Sequence, residues 1–123
     1  MTFNGLRILL VEDDSLVAMV TADLLEELGC EVLAIAGHLE EAVDKAKAGG
    51  FGCALLDVNL HGEDVFPVAE ILAAQGTPFV FASGYGSWGL PETFRGRPVV
   101  SKPFRIDMLS AALSAALSGR SGQ

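Results

Sequence analysis

The stretch Ala54-Leu55-Leu56-Asp57-Val58-Asn59 carries a single carboxylate at the end of an apolar run. Its hydrophobicity is continuous rather than alternating, which is typical of a strand in a parallel sheet that helices cover on both faces. Open α/β sheets hold their ligands in the crevice beyond the carboxyl ends of the strands. The stretch therefore predicts a central strand at residues 53–58 that presents Asp57 at such a crevice.

Strand-like and helix-like patterns alternate along the rest of the chain. Short aliphatic runs predict four further strands, at residues 7–11, 31–36, 78–82 and 98–101. Glycine and proline leave room for little more than one helical turn between the last two of these strands. The pattern predicts an α/β domain with a parallel sheet and right-handed crossovers, in which the fourth helix is short or irregular.

Apolar residues at helical spacing and capping residues predict the helices. The apolar residues of the first helix recur at Leu16, Val20, Leu24 and Leu28, with Val17 and Leu25 beside them. Asp14 is a candidate cap for this helix, and Asp64 is a candidate cap for the third helix after a loop at residues 59–63. Pro67 is tolerated in the first turn of that third helix, and a final amphipathic helix is predicted at residues 106–117.

The composition limits the classes of function. A length of 123 residues predicts one domain, 1–123, with a flexible tail at 119–123. The formal net charge of −8 gives no basic surface for nucleic acid, and no apolar run reaches the roughly 20 residues of a membrane span. Cys30 and Cys53 lack metal or redox spacing, so we interpret them as buried, reduced residues of a cytoplasmic protein.

Polar residues follow the other predicted strands as well. Glu12 and Asp13 follow the first strand, Ser83 follows the fourth and Lys102 follows the fifth. Because the carboxyl ends of parallel strands share one edge of the sheet, we expect these side chains to meet Asp57 there.

Such a group of residues supports phosphoryl transfer. Three clustered carboxylates favour a hard cation such as Mg²⁺, to which the backbone carbonyl of Asn59 can add a ligand. Asp57, kept ionised by the cation, is then a candidate phosphoryl acceptor. Lys102 and Ser83 are expected to stabilise the phosphoryl oxygens, since this reaction depends on positioning and charge compensation.

Four motifs, in this order and spacing, resemble those of response-regulator receiver domains: Leu10-Val11-Glu12-Asp13-Asp14, Leu55-Leu56-Asp57-Val58-Asn59-Leu60, Ala82-Ser83-Gly84 and Ser101-Lys102-Pro103-Phe104. The resemblance implies a flavodoxin-like fold with strand order 2-1-3-4-5. It implies that Asp57 accepts phosphate from a sensor histidine kinase, that Glu12 and Asp13 hold Mg²⁺, and that Ser83 and Lys102 are the family's hydroxyl and lysine. Expected partners are that kinase and a histidine phosphotransfer protein or downstream regulator. We expect a stand-alone monomer or weak dimer without an effector domain.

A narrower resemblance rests on Pro78-Phe79-Val80-Phe81-Ala82-Ser83-Gly84-Tyr85-Gly86. This segment is similar to single-domain receivers named for a Phe-Ala-Thr-Gly-Tyr signature, with Ser83 replacing the threonine. Most receivers carry an aromatic residue three positions before the lysine, where this chain has Val99. The usual aromatic switch is therefore absent, and Tyr85, Trp88 or Phe104 is the candidate replacement.

The same residues are compatible with other interpretations. A receiver-like docking module that is never phosphorylated is one alternative, and a phosphohydrolase with Asp57 as nucleophile is another. The haloacid type of phosphohydrolase needs a second aspartate where Asn59 stands. Residues 84–89 match Gly-x-Gly-x-x-Gly, but Pro91 leaves no room for the helix that a dinucleotide site requires. His38 and His61 lack companion ligands and are interpreted as a helix cap and a loop residue.

Overall fold

Five parallel strands form the central sheet of the computed structural model, which describes residues 3–84 and 90–119. The sheet strands are β1 (Arg7–Val11), β2 (Glu31–Ala36), β3 (Cys53–Asp57), β6 (Phe79–Ser83) and β7 (Val99–Ser101). Two short strands, β4 (Asn59–Leu60) and β5 (Glu63–Asp64), form a separate antiparallel pair. The sheet order is β2-β1-β3-β6-β7, which confirms the predicted order of the five main strands.

Four α-helices flank the sheet within the described ranges: α1 (Ser15–Glu27), α2 (Leu39–Ala48), α3 (Phe66–Gln75) and α4 (Ile106–Gly119). Helices α2 and α3 cover one face of the sheet, and α1 and α4 cover the other. None of these helices is long and apolar enough to cross a membrane. Helix α4 extends to Gly119, and residues 120–123 of the predicted tail lie outside the described residues.

The central strand β3 is buried along its whole length, as its unbroken hydrophobicity predicts. Ala54 and Leu56 pack into the core beneath α2 and α3. Cys53 and Leu55 pack into the core beneath α1 and α4. Two apolar layers on either side of the strand therefore bring Asp57 to the sheet edge as its final residue.

Helix α1 forms where it was predicted and carries apolar residues on several faces, of which one packs on the sheet. Ala18, Thr21 and Leu25 are its buried residues, whereas Leu16 is 65% exposed and Val20 is 52% exposed. Helical spacing therefore located the helix but did not single out its inward face, where Leu25 is fully buried and Leu24 and Leu28 are partly buried. Burial of Thr21 is compatible with the apolar layer because its hydroxyl donates to the Val17 carbonyl oxygen at 2.7 Å. Asp14 caps the helix as predicted, accepting hydrogen bonds from the backbone N–H groups of Leu16 and Val17.

The segment after β3 is a hairpin rather than the predicted loop. Asn59 pairs with Asp64, and Leu60 pairs with Glu63. Leu60 and Val65 are buried, which anchors both ends of the hairpin to the core. Asp64 is therefore part of β5 and not the cap of α3: Val65 occupies the cap position, with no side-chain capping bond.

Between β6 and β7 the described residues form only a single 3₁₀ turn, at Glu92–Phe94. This agrees with the predicted short or irregular fourth helix. Phe94 is buried against three other phenylalanine rings, with ring centroids 5.7–6.0 Å away: Phe66, Phe79 and Phe81. Aromatic packing thus fixes this connection to the sheet in place of a long helix. Tyr85 and Trp88 lie outside the described residues.

Both cysteines are free and buried, as predicted. Burial raises the pKa of the Cys30 thiol to about 11. It also raises the pKa of the Cys53 thiol to about 12. Since the thiolate is the reactive form, these residues act as core side chains.

Candidate functional site

Three carboxylates meet at the carboxyl edge of the sheet. Glu12 and Asp13 directly follow β1, and Asp57 ends the neighbouring strand β3. Each contributes one oxygen to a group whose members lie within 4.8 Å of one another. Glu12 is 4% exposed and Asp57 is 8% exposed, so two of the three charges are largely removed from water. The predicted convergence of these carboxylates is therefore present.

Lys102 lies between two of the carboxylates. Its Nζ is 2.8 Å from Glu12 Oε1 and 3.2 Å from Asp57 Oδ2. The residue follows β7, and its backbone N–H donates to the Ser83 carbonyl oxygen at 3.2 Å. The ammonium thus compensates part of the negative charge that folding concentrates at this edge.

Ser83 lies on the strand between Asp57 and Lys102. It ends β6, one residue beyond Ala82, which pairs with Asp57, and it pairs with Ser101 of β7. The residue is buried. Its strand position places it at the same sheet edge as the carboxylates and the lysine.

The surroundings shift the ionisation of three site residues. Burial raises the pKa of Glu12 to about 7, although the hydrogen bonds from Lys102 and from the Asp14 backbone act in the opposite direction. Burial opposes ionisation of Lys102 as well, but its contacts with Glu12 and Asp57 outweigh burial and raise its pKa above the ordinary value. Partial burial of Asp13 is outweighed by the hydrogen bond from the His61 backbone, so the pKa of Asp13 is lowered. Near neutral pH, Glu12 is therefore the carboxyl group that would have to lose a proton when a cation binds.

The β4–β5 hairpin supplies backbone donors to the same carboxylates. The Asn59 N–H donates to Asp57 Oδ1 at 3.3 Å, and the His61 N–H donates to Asp13 Oδ2 at 2.8 Å. The Asn59 side-chain oxygen accepts from the Gly62 N–H at 2.9 Å, which closes the turn of the hairpin. The hairpin therefore orients two of the three acidic side chains.

Sequence reasoning missed the contact between the two histidines. The rings of His38 and His61 stack with centroids 5.2 Å apart and an interplanar angle of 25°. His61 Nδ1 also lies 3.7 Å from Asp13 Oδ2. His38 occupies the cap position of α2, as interpreted, but its side chain makes no capping hydrogen bond. Gly62 after His61 was the available sequence signal for a tight turn, because glycine readily adopts the positive φ of such turns, here 85°.

The chemistry of this donor set fits a magnesium ion. All three clustered side chains offer carboxylate oxygens, which are the ligands that Mg²⁺ prefers, and three protein ligands leave positions for water and phosphoryl oxygens. Near a fixed ammonium and a hydroxyl-bearing strand end, such a cluster can bind and stabilise a phosphoryl group. The fold and the site together define an α/β domain with an acidic, metal-competent cluster at the carboxyl edge of its parallel sheet.

The comparisons with known proteins agree with this class. Residues 8–114 match the family model of the response regulator receiver domain, and the chain belongs to that family. It is 31% identical over 116 residues to the transcriptional regulatory protein PdtaR of Mycobacterium tuberculosis, covering 91% of this chain and 57% of PdtaR. The chain thus spans little more than half the length of that curated relative.

Two solved structures cover almost the same length as this chain. The solution structure of SdrG from Sphingomonas melonis Fr1 is 42% identical with a TM-score of 0.83, covering 95% of this chain and 99% of SdrG. The BeF3-activated conformation of SdrG from Pseudomonas melonis Fr1 is 41% identical with a TM-score of 0.78, covering 94% and 99%. The narrower resemblance to the Phe-Ala-Thr-Gly-Tyr subfamily stays a prediction.

Proposed function

We propose that this receiver domain accepts a phosphoryl group on Asp57 from the phosphohistidine of a sensor histidine kinase, in a Mg²⁺-dependent reaction. The observation that carries the proposal is the position of Asp57 in a carboxylate cluster with the Lys102 ammonium 3.2 Å from its Oδ2. The SdrG structure described as BeF3-activated supports it, because this relative of similar length responds to a beryllofluoride group.

In the proposed transfer, a carboxylate oxygen of Asp57 forms a bond to phosphorus while the bond between phosphorus and the donor imidazole nitrogen breaks. The imidazole keeps the electron pair and takes up a proton. Lys102 neutralises developing charge on one phosphoryl oxygen, and the Ser83 hydroxyl donates to another. Water later hydrolyses the aspartyl phosphate and returns Asp57 to the free carboxylate, so the domain catalyses only its own phosphorylation and dephosphorylation.

Glu12, Asp13, Asp57 and the backbone carbonyl of Asn59 are the residues proposed to hold Mg²⁺. When bound, the cation supplies charge compensation for the carboxylates and the incoming phosphoryl oxygens. Lys102 then no longer has to neutralise Glu12 and Asp57 alone, which leaves its ammonium for the phosphoryl group.

The proposed output is contact with another protein. The phosphorylated domain either docks on a downstream regulator or passes the phosphoryl group to a histidine phosphotransfer protein. Both routes need an exposed surface beside the site, and the outward apolar residues of α1, which begins two residues after Asp13, provide one.

Intact-protein mass spectrometry after incubation with acetyl phosphate and Mg²⁺ tests the proposal. We expect one added phosphoryl group in the unaltered protein and none in Asp57→Asn. Asp64→Asn is the matched control, because Asp64 is an exposed carboxylate of the neighbouring hairpin outside the cluster. It should be phosphorylated like the unaltered protein.

Three outcomes would contradict the proposal. An adduct that persists in Asp57→Asn would place the acceptor elsewhere. No adduct on the unaltered protein, from acetyl phosphate or from a phosphorylated histidine kinase, would favour a docking module. Repeated turnover of a small phosphomonoester would favour a phosphohydrolase.

A further inference from the structure

The turn of the β4–β5 hairpin holds a residue in a costly backbone conformation beside the acidic cluster. Among the described residues, His61 is the non-glycine residue with a positive φ, at 50°. A side chain in this left-handed region crowds its own backbone, so such residues persist where the surrounding structure holds them. The conformation aims the His61 N–H at Asp13 Oδ2, 48 residues earlier in the chain.

Besides its own contacts with Asp13, His61 is held in this conformation from two sides. On the hairpin side, the Asn59 side-chain oxygen accepts from the N–H of Gly62, the other residue of the turn. On the opposite side, the His61 ring stacks on the ring of His38, which belongs to the segment between β2 and α2. The His38 side chain makes no capping hydrogen bond to its own helix, so its ring is available to stack on His61.

We propose that His38 and His61 are positioning residues for Asp13. The ring stack fixes the hairpin tip, the tip fixes the His61 N–H, and the N–H fixes the orientation of the Asp13 carboxylate. The inference rests on the proposed function, because it makes the Mg²⁺ affinity of the acidic cluster depend on His38, a residue outside that cluster.

The physical effect is preorganisation. A carboxylate that is already held in one orientation loses less freedom when it binds a cation than one that must be ordered at that moment. Both rings are largely exposed, and the His61 side chain is 57% exposed, so the stack contributes at the low end of the range for aromatic pairs. Loss of the stack should therefore weaken Mg²⁺ binding by about two- to threefold.

Four variants separate this role from a merely structural one: His38→Ala, His38→Phe, His61→Gly and the double variant His38→Ala/His61→Gly. Mg²⁺ affinity is measured by NMR titration of the unaltered protein and of all four variants at the same pH. Solvent exchange of the His61 amide proton is measured on the same His38 variants without Mg²⁺.

We expect His38→Ala to bind Mg²⁺ about two- to threefold more weakly and to expose the His61 amide proton to faster exchange. His38→Phe keeps a ring for the stack and should restore both values. His61→Gly removes both the stack and the 3.7 Å contact of His61 Nδ1 with Asp13 Oδ2, so it should bind Mg²⁺ at least as weakly as His38→Ala. The double variant should be no weaker than His61→Gly, because the stack is already lost in that single variant.

Equal Mg²⁺ affinity and equal amide exchange in His38→Ala and the unaltered protein would overturn the inference and leave the proposed function intact. A His38→Phe variant as weak as His38→Ala would also overturn it, since the ring would then not be what matters. Failure of the unaltered protein to bind Mg²⁺ would overturn the proposed function, and with it the inference.

Discussion

The buried carboxyl of Glu12 makes the stability of the metal-free protein fall as pH rises through neutrality. Its pKa lies at about 7 in the folded chain, against 4.5 for an ordinary glutamate, chiefly because burial penalises the charged form. The folded state therefore binds a proton more tightly than the unfolded state between these two values. The contribution to stability is complete below 4.5 and is lost as pH rises through about 7.

The size of the effect follows from the same difference. Each pKa unit corresponds to about 1.4 kcal/mol, so the full difference corresponds to an upper limit of about 3.5 kcal/mol in the free energy of unfolding. Glu12 is only 4% exposed, so solvent screening removes little of this. The lowered pKa of Asp13 affects the free energy of unfolding at lower pH, and the raised pKa of Lys102 affects it at higher pH. Neither group therefore contributes between pH 4.5 and about 7, where Glu12 acts.

Urea unfolding of the unaltered protein and of Glu12→Gln, in chelator and at several pH values between about 5 and 8, measures the effect. The variant removes the titrating group and retains a side chain of similar size, so the difference between the two proteins isolates Glu12. We expect the free energy of unfolding of the unaltered protein to fall relative to that of Glu12→Gln as pH rises across this window. Saturating Mg²⁺ should stabilise the unaltered protein more at the upper end, where Glu12 is ionised.

A difference between the two proteins that is constant with pH would refute the reasoning. So would an unaltered protein that gains stability relative to Glu12→Gln as pH rises. Either result would mean that Lys102, 2.8 Å from the carboxyl, outweighs burial and keeps Glu12 ionised throughout.

Two further predictions concern the lysine and the aromatic cluster. Lys102→Met should bind Mg²⁺ more tightly than the unaltered protein in calorimetric titration, because the cation no longer competes with an ammonium for the carboxylates. Weaker binding by the variant would contradict this explanation. Phe94→Ala should lower the free energy of unfolding by about 3–5 kcal/mol in urea titration, because Phe94 is 3% exposed among three other rings. Thr93→Ala, at an exposed position of the same turn, is its control and should change stability by less than about 0.5 kcal/mol.

The position of the site was predictable because strand ends in a parallel sheet can be located from sequence. Asp57, Glu12 and Lys102 each follow an apolar run, and parallel pairing brings the ends of such runs to one edge. The short connection before β7 was predictable for a similar reason, since proline and glycine punctuate residues 89–98.

Features set by tertiary contacts were not predictable in this way. The inward face of α1 depends on which of several apolar sides meets the sheet, and Leu16 lies outside. The hairpin depends on the burial of Leu60 and on the positive φ of His61, neither of which periodicity reveals. The stack of His38 on His61 joins segments that only the folded chain brings together.

The pair between Glu12 and Lys102 joins residues 90 positions apart, one near the start of the chain and one near its end. The reactive edge is consequently assembled only after the last strand has entered the sheet. A chain still emerging during synthesis, or one cleaved before β7, keeps Asp57 but lacks the ammonium beside it. Under the proposed function, phosphoryl transfer assisted by Lys102 is in this way confined to chains in which the whole sheet has formed.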